Sequence, residues 1–371
     1  MSTGLGWPSA LTSADGSLGW PLPDSDLVEA AEPGTPVADE PAVADVAPSA
    51  PWSVPIGHDP ADVSRETADA VPLVDAVSRE TAPEQNVDKQ QSVAKPARSP
   101  NWPKPAERKV VTIANQKGGV GKTTTTVNLA ASLAQHGARV LVIDLDPQGN
   151  ASTAFGIDHH ESIPSVYDVL VQGAAIADIA LPAADVPGLD CVPATIDLAG
   201  AEIELVSVVA RESRLRKAVD ALQTPYDYVF IDCPPSLGLL TVNALVAGRE
   251  VLIPIQCEFY ALEGLSQLLR NIELVRSHLN DELYVSTILL TMYDARTRLA
   301  EQVAAEVRNH FGETVLSSTI PRSVRISEAP GYGQSVMTYD PGSRGAVAYA
   351  DAGYEFAVRA ANGSASGEGT P

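Results

Sequence analysis

Between residues 109 and 124 an apolar, β-branched run, Lys109-Val110-Val111-Thr112-Ile113-Ala114-Asn115, leads into Gln116-Lys117-Gly118-Gly119-Val120-Gly121-Lys122-Thr123-Thr124. Glycines at this spacing permit a tight turn whose backbone N–H groups converge. A helix N-terminus behind the turn completes a cradle for phosphate oxygens. In such a cradle Lys122 reaches the β- and γ-phosphates and the Thr123 hydroxyl ligates Mg²⁺. The strict pattern G-x-x-x-x-G-K-[ST] fails at its first position, where Gln116 stands for Gly, and a second lysine, Lys117, lies five residues ahead of Lys122. The segment from Lys117 through Gly118, Gly119, Val120, Gly121, Lys122, Thr123 and Thr124 therefore reads as a nucleoside triphosphate site.

Two apolar runs that end in acid supply the rest of the chemistry. Arg139-Val140-Leu141-Val142-Ile143-Asp144 continues into Leu145-Asp146-Pro147-Gln148-Gly149-Asn150, and Tyr228-Val229-Phe230-Ile231-Asp232 into Cys233-Pro234-Pro235. A hydrophobic run followed by Asp holds Mg²⁺ through its waters in phosphoryl-transfer sites, which assigns Asp232 to the metal. Asp144 and Asp146 lie two residues apart and share one face of an extended segment. Asp144 is either a support for Asp146 or an acid that caps the strand. Strand carboxyl ends are where open α/β sheets bind ligands.

Taken together, K-G-G-V-G-K-T-T, D-L-D-P-Q-G-N and V-F-I-D-C-P-P-S-L resemble the deviant Walker A ATPases. The stretches Thr319–Gly333 and Tyr339–Ala346 narrow the resemblance to ParA-type (Soj-like) chromosome-partitioning ATPases over about residues 108–360. The resemblance implies ATP and Mg²⁺ as cofactors and an ATP-bound sandwich homodimer on nonspecific double-stranded DNA. It also implies hydrolysis stimulated by a ParB-type centromere-binding partner, and a cytoplasmic, nucleoid-associated location. It makes Lys117 the signature lysine that reaches the partner subunit's phosphates, Lys122 the loop lysine, Thr123 and Asp232 the Mg²⁺-linked residues, and Asp146 the switch acid. It puts adenine contacts near Pro321 and Ser323, the latter standing where many relatives have Asn. The family's DNA surface lies in the C-terminal third, where Arg296, Arg298, Arg308, Arg322, Arg325 and Arg344 are candidates. The alternative, a MinD-like positioning ATPase on membranes, requires a basic amphipathic C-terminal helix. Ala361–Pro371 contains no Lys or Arg.

The elements that must position these residues alternate in type. Further strands are expected at 251–255, 285–290 and 315–320, with helices at 122–136, 199–222, 258–279 and 298–311. That order predicts an α/β fold, a doubly wound, mostly parallel sheet with helices on both faces. We expect a tail at 1–107, an ATPase domain at 108–360 and a frayed end at 361–371.

Composition separates the tail from the domain. Residues 1–100 hold 16 acids against 5 bases, 14 of the 29 prolines and no Phe or Tyr, a net charge of −11 within a total of −22. Such a segment buries too little apolar surface to offset its ordering entropy and is expected to be disordered. No apolar run is long enough to span a bilayer, and no Lys or Arg precedes Arg65, which argues against a signal peptide. Cys191, Cys233 and Cys257 form no C-x-x-C and read as reduced, partly buried thiols.

Two echoes mark the tail. Leu-Gly-Trp-Pro occurs at 5–8 and 18–21. Trp7, Trp20, Trp52 and Trp102, all the tryptophans in the chain, are either short docking motifs for a polar scaffold or incidental aromatics in a solvated linker. Val-Ser-Arg-Glu-Thr occurs at 63–67 and 77–81. One spelling of it begins GTTTCACGTGAAAC, which is its own reverse complement and, given the resemblance, matches the centromere site of ParB-type partners. The two copies start 14 codons, or 42 base pairs, apart, about four turns of duplex at 10–10.5 base pairs each. The rival reading is a peptide docking motif.

Overall fold

The computed structural model describes residues 101–258 and 261–363. The paired pentapeptide, the first three tryptophans and the last eight residues lie outside this range.

Eight strands form one sheet: β1 Lys109–Ile113, β2 Val140–Asp144, β3 Leu181–Pro182, β4 Leu189–Val192, β5 Tyr228–Asp232, β6 Glu250–Gln256, β7 Tyr284–Tyr293 and β8 Val315–Pro321. Their spatial order is β3-β4-β2-β5-β1-β6-β7-β8. All neighbours are parallel except the short edge pair of β3 with β4. Pro182 sits on that edge, where a missing N–H costs no ladder bond.

Alternation along the strands sends side chains to two cores. On one face Val111, Ile113, Val142, Phe230 and Leu252 pack with Leu129 and Leu133 of helix α1 (Lys122–Gln135) and with Tyr349 and Phe356 of the helix Arg344–Gly363. On the other, Val110, Leu141, Ile143, Val229, Ile231 and Ile253 pack with Leu215, Leu245, Leu268 and Val303. Both faces are covered, as a parallel sheet requires.

The structure differs from these expectations at four places. The helix expected over 199–222 is broken into Leu198–Glu204 and Arg214–Asp220. The run Val206-Ser207-Val208-Val209 forms helix poorly, Ala210 takes a left-handed φ of 55°, and Asn243 holds the new start by accepting from the Leu215 amide and donating to the Arg211 carbonyl. Trp102 is not a free docking motif but 5% exposed. It stacks on His136 with ring centroids 3.7 Å apart and meets the edge of Tyr354. The expected boundary at 107/108 thus falls inside a packed strap, which Lys104 to Asp227 and Arg108 to the carbonyls of Leu222 and Thr224 also hold. The C-terminal helix runs to Gly363, past the expected end at 360.

Candidate nucleotide site

The central strand β1 ends at Ile113, and residues 114–121 form the loop that enters α1. The loop is pinned from below and behind. Thr291 Oγ1 donates to the Val120 carbonyl at 2.8 Å, and Asn115 accepts from the Lys117 amide at 3.0 Å while donating to the Pro254 carbonyl at 2.8 Å. Gly119 and Gly121 adopt left-handed φ values of 73° and 90°, a conformation that favours glycine. The space where a Cβ would stand on Gly118 or Gly119 is empty to 4 Å. No side chain caps α1 and no acid occupies its first turn, so its terminal N–H groups remain for an anion. Lys122 is 7% exposed, and burial lowers its pKa against the pull of Asp232, Cys233 and Asp146.

Asp144 and Asp232 end neighbouring strands in direct register, and both are fully buried. Burial raises both carboxyl pKa values, and Asp144 raises that of Asp232 further. Asp232 accepts from Thr126 Oγ1 at 2.9 Å through one oxygen, while Oδ2 has no hydrogen-bond partner among the described residues. An unpaired buried carboxylate oxygen beside a lysine and two threonines fits a hydrated divalent cation. Asp144 accepts from the Asp146 amide at 3.2 Å and from both the amide and hydroxyl of Ser152, at 2.9 and 2.8 Å. It therefore braces both ends of the loop that carries Asp146, which is more than strand capping. Asp146 accepts from the Gln148 amide at 3.0 Å and turns toward the phosphate cavity.

That cavity, about 360 Å³, is lined by Gly118, Gly119, Gly121, Lys122, Thr123, Thr124 and Asp146. It extends onto Val127, Asn128, Met292, Pro330, Gln334 and Val336, which sequence reasoning did not single out. Asn128 had a readable signal only in part: its place one turn after Thr124, whose carbonyl it bonds. Val120 is buried beneath the loop. Pro321 and Ser323 do not line the cavity. Pro321 ends β8 opposite Tyr293, and Ser323 precedes the short helix Val324–Glu328. Lys117 does not line it either; its Nζ pairs with Glu258 at 3.1 Å.

Among the arginines, Arg296 makes a two-point pair with Asp294, Arg325 meets Glu328 and Asp340, and Arg322 faces Glu258. Arg298 and Arg344 are exposed and have no ion-pair partner among the described residues. The three cysteines are buried and unpaired with one another. Among the described residues no helix is long and apolar enough to cross a membrane.

Burial of Asp232 gives a prediction with a definite sign. An acid whose pKa is raised by folding holds its proton more tightly folded than unfolded. It costs stability above the ordinary Asp range and nothing below about pH 4. Asp232→Asn keeps the Thr126 bond and removes the charge. It is expected to raise the Tm of the nucleotide-free chain at pH 8 by about 3–8 °C, a gain that vanishes near pH 4. An unchanged or lower Tm at pH 8 would contradict the buried-charge account.

A phosphate cradle set between a central parallel strand and its following helix places the molecule among the P-loop NTPases, and the extra lysine ahead of the loop places it in their deviant branch. A family model described as "AAA domain" matches residues 108–285. The sporulation initiation inhibitor protein Soj of Bacillus subtilis is 56% identical over 250 residues, 67% of this chain and 98% of that protein. The chromosome partitioning protein ParA of Caulobacter vibrioides is 54% identical over 243 residues, 65% of this chain and 91% of that one. Among solved structures, cobyrinic acid a,c-diamide synthase from Mycobacterium smegmatis with bound ADP and magnesium superposes with a TM-score of 0.59 at 37% identity, covering 71% of this chain and 98% of that one. The chain belongs to the ParA/Soj family of chromosome-partitioning ATPases.

Proposed function

We propose that the protein segregates chromosomes by an ATP-driven pairing cycle. ATP and Mg²⁺ fill the cradle, two subunits pair face to face around the nucleotides, and the pair holds nucleoid DNA without regard to sequence. A ParB-type centromere-binding partner then accelerates hydrolysis and releases it. The observation that carries the two-subunit reading is the division between the lysines. Lys122 lines the phosphate cavity, whereas Lys117 lies outside it in its own subunit, which suits a charge delivered to another subunit.

The chain's own residues divide the work as phosphoryl transfer demands, with positioning and charge in place of covalent chemistry. The loop amides, the α1 N-terminus and Lys122 bind the phosphates. Thr123 and, through water, Asp232 would hold the metal, which would supply positive charge to the phosphates. Asp146, braced by Asp144, orients the water. The apolar walls at Val127, Met292 and Val336 exclude bulk water from one side. Lys117 from the second subunit adds charge where it develops in the transition state, as an arginine finger does.

Measuring ATP turnover alone, with duplex DNA, and with DNA plus the ParB-type partner tests the cycle. The expected result is low basal turnover that rises only with the partner. Turnover indifferent to both additions would exclude the proposal. Retention on DNA should fall steeply with salt and be indifferent to sequence. Arg298 and Arg344 are exposed without an ion-pair partner among the described residues, so Arg344→Glu is expected to weaken retention and lower the salt slope by about 1. Arg296→Glu should do less, because Asp294 already neutralises that guanidinium. Unchanged retention in both variants would move the DNA surface elsewhere.

The repeated Val-Ser-Arg-Glu-Thr is proposed to act in the gene, as a pair of partner-binding DNA sites. Synonymous codons that break the inverted repeat in both copies would end that reading.

A further inference from the structure

Lys117 is not loose in its own subunit. Its Nζ lies 3.1 Å from Glu258 Oε2. The other oxygen of that carboxylate accepts from Gln256 Nε2 and faces the Arg322 guanidinium at 3.6 Å. Glu258 stands two residues beyond the end of β6, and the phosphate loop is tied to that same strand through Asn115 and the Pro254 carbonyl. The Asn115 carboxamide oxygen also accepts from the Lys117 amide. Lysine and carboxylate therefore ride on one rigid base, and little backbone entropy opposes their meeting. Neither belongs to the cavity lining.

We propose that Glu258 is a positioning residue for Lys117. It parks the lysine in the unpaired subunit and must release it before the lysine can reach phosphates in a second copy of this chain. The inference rests on the two-subunit reading above. Both side chains are more than a third exposed, Lys117 at 36% and Glu258 at 46%. A pair so placed is weak, about 0–1 kcal/mol, or up to roughly a fivefold bias. A triphosphate enclosed between two subunits carries several negative charges in a drier setting and outcompetes one wet carboxylate. The latch is thus strong enough to occupy Lys117 in the absence of a second nucleotide-loaded face and weak enough to open when one arrives. Arg322 and Gln256 keep the carboxylate in place after the lysine leaves. Pairing opens two latches, so a bias per subunit enters the pairing constant squared.

The test uses the full chain with a non-hydrolysable ATP analogue and Mg²⁺. The pairing constant is measured by sedimentation, and nucleotide affinity is measured separately at concentrations where the chain is unpaired. Glu258→Gln is expected to tighten pairing between about threefold and 25-fold and to leave nucleotide affinity in the single subunit unchanged. Glu258→Asp keeps the charge but withdraws it by one methylene, and should also tighten pairing, by less. In a Lys117→Ala background, Glu258→Gln should change nothing, the coupling expected of two residues that act through each other.

Three results would overturn the latch. One is pairing unchanged or weakened in Glu258→Gln, with Lys117→Ala still defective. Another is tightening that persists without Lys117, which would make it a field effect on the nucleotide. The third is a Glu258→Asp variant that matches the wild type while Glu258→Gln does not, which would make charge and not contact the cause. The underlying reading fails separately, if Lys117→Ala alone pairs as the wild type does.

Discussion

Lys117→Ala is expected to bind ATP nearly as well as the wild type and to lose about three orders of magnitude in turnover. Lys117 is absent from the cavity lining, so its removal leaves the single subunit's phosphate contacts in place. What disappears is a positive charge needed only when a second subunit arrives, both to hold the pair around the nucleotides and to stabilise the charge that develops during transfer. Lys122→Ala should behave differently, because the buried Lys122 lines the cradle itself; it loses nucleotide outright. Wild-type turnover in Lys117→Ala would sink the assignment.

Asp146→Ala is expected to hold ATP in the paired state and to lower turnover by about 10²–10⁴-fold. The cradle, Lys122 and Asp232 are untouched, so binding persists while the water loses its guide. The variant should remain on DNA in the presence of ATP; rapid release would contradict the role. The two inactive variants also test each other. In a mixed pair, the Lys117→Ala subunit keeps its own Asp146 and receives Lys117 from the Asp146→Ala subunit. One complete site forms, and mixing should restore turnover. A lysine that acts within its own subunit predicts no recovery, since every site then lacks either Lys117 or Asp146.

What the sequence made legible depended on how local the cause was. The phosphate loop is written in contiguous residues because its chemistry needs glycines, a lysine and a helix start in one turn. The strands around it were legible because both faces of a parallel sheet are buried, which leaves unbroken apolar runs such as Val140–Ile143 and Val229–Ile231. β4 escaped notice: it is four residues long and interrupted by the half-buried Asp190. The break at 205–213 was invisible because it depends on Asn243, more than 25 residues away, competing for backbone groups of Arg211 and Leu215. The partner of Lys117 was equally hidden, 141 residues along the chain. Asp144 was half legible. Its place on the strand could be read, but its grip on Ser152 required the turn at Gly149, where the backbone takes φ 62°. The apolar side of the cavity was the least readable, because Val127, Met292 and Pro330 come from three distant segments and no motif spans them.

The strap that ends in Trp102 has a consequence for how the molecule is plumbed. Trp102 stacks on His136, which closes the far end of α1, and its amide bonds the His136 carbonyl at 3.1 Å. The helix's other end is the phosphate cradle. Residues 1–100 are therefore joined to the domain some 14 helical residues away from the nucleotide, a distance of about 20 Å at 1.5 Å per residue. Two copies meeting cradle to cradle would carry these attachment points outboard, one at each end, like couplings on a railway carriage. Whatever is attached at residue 101 would then sit away from the proposed joint.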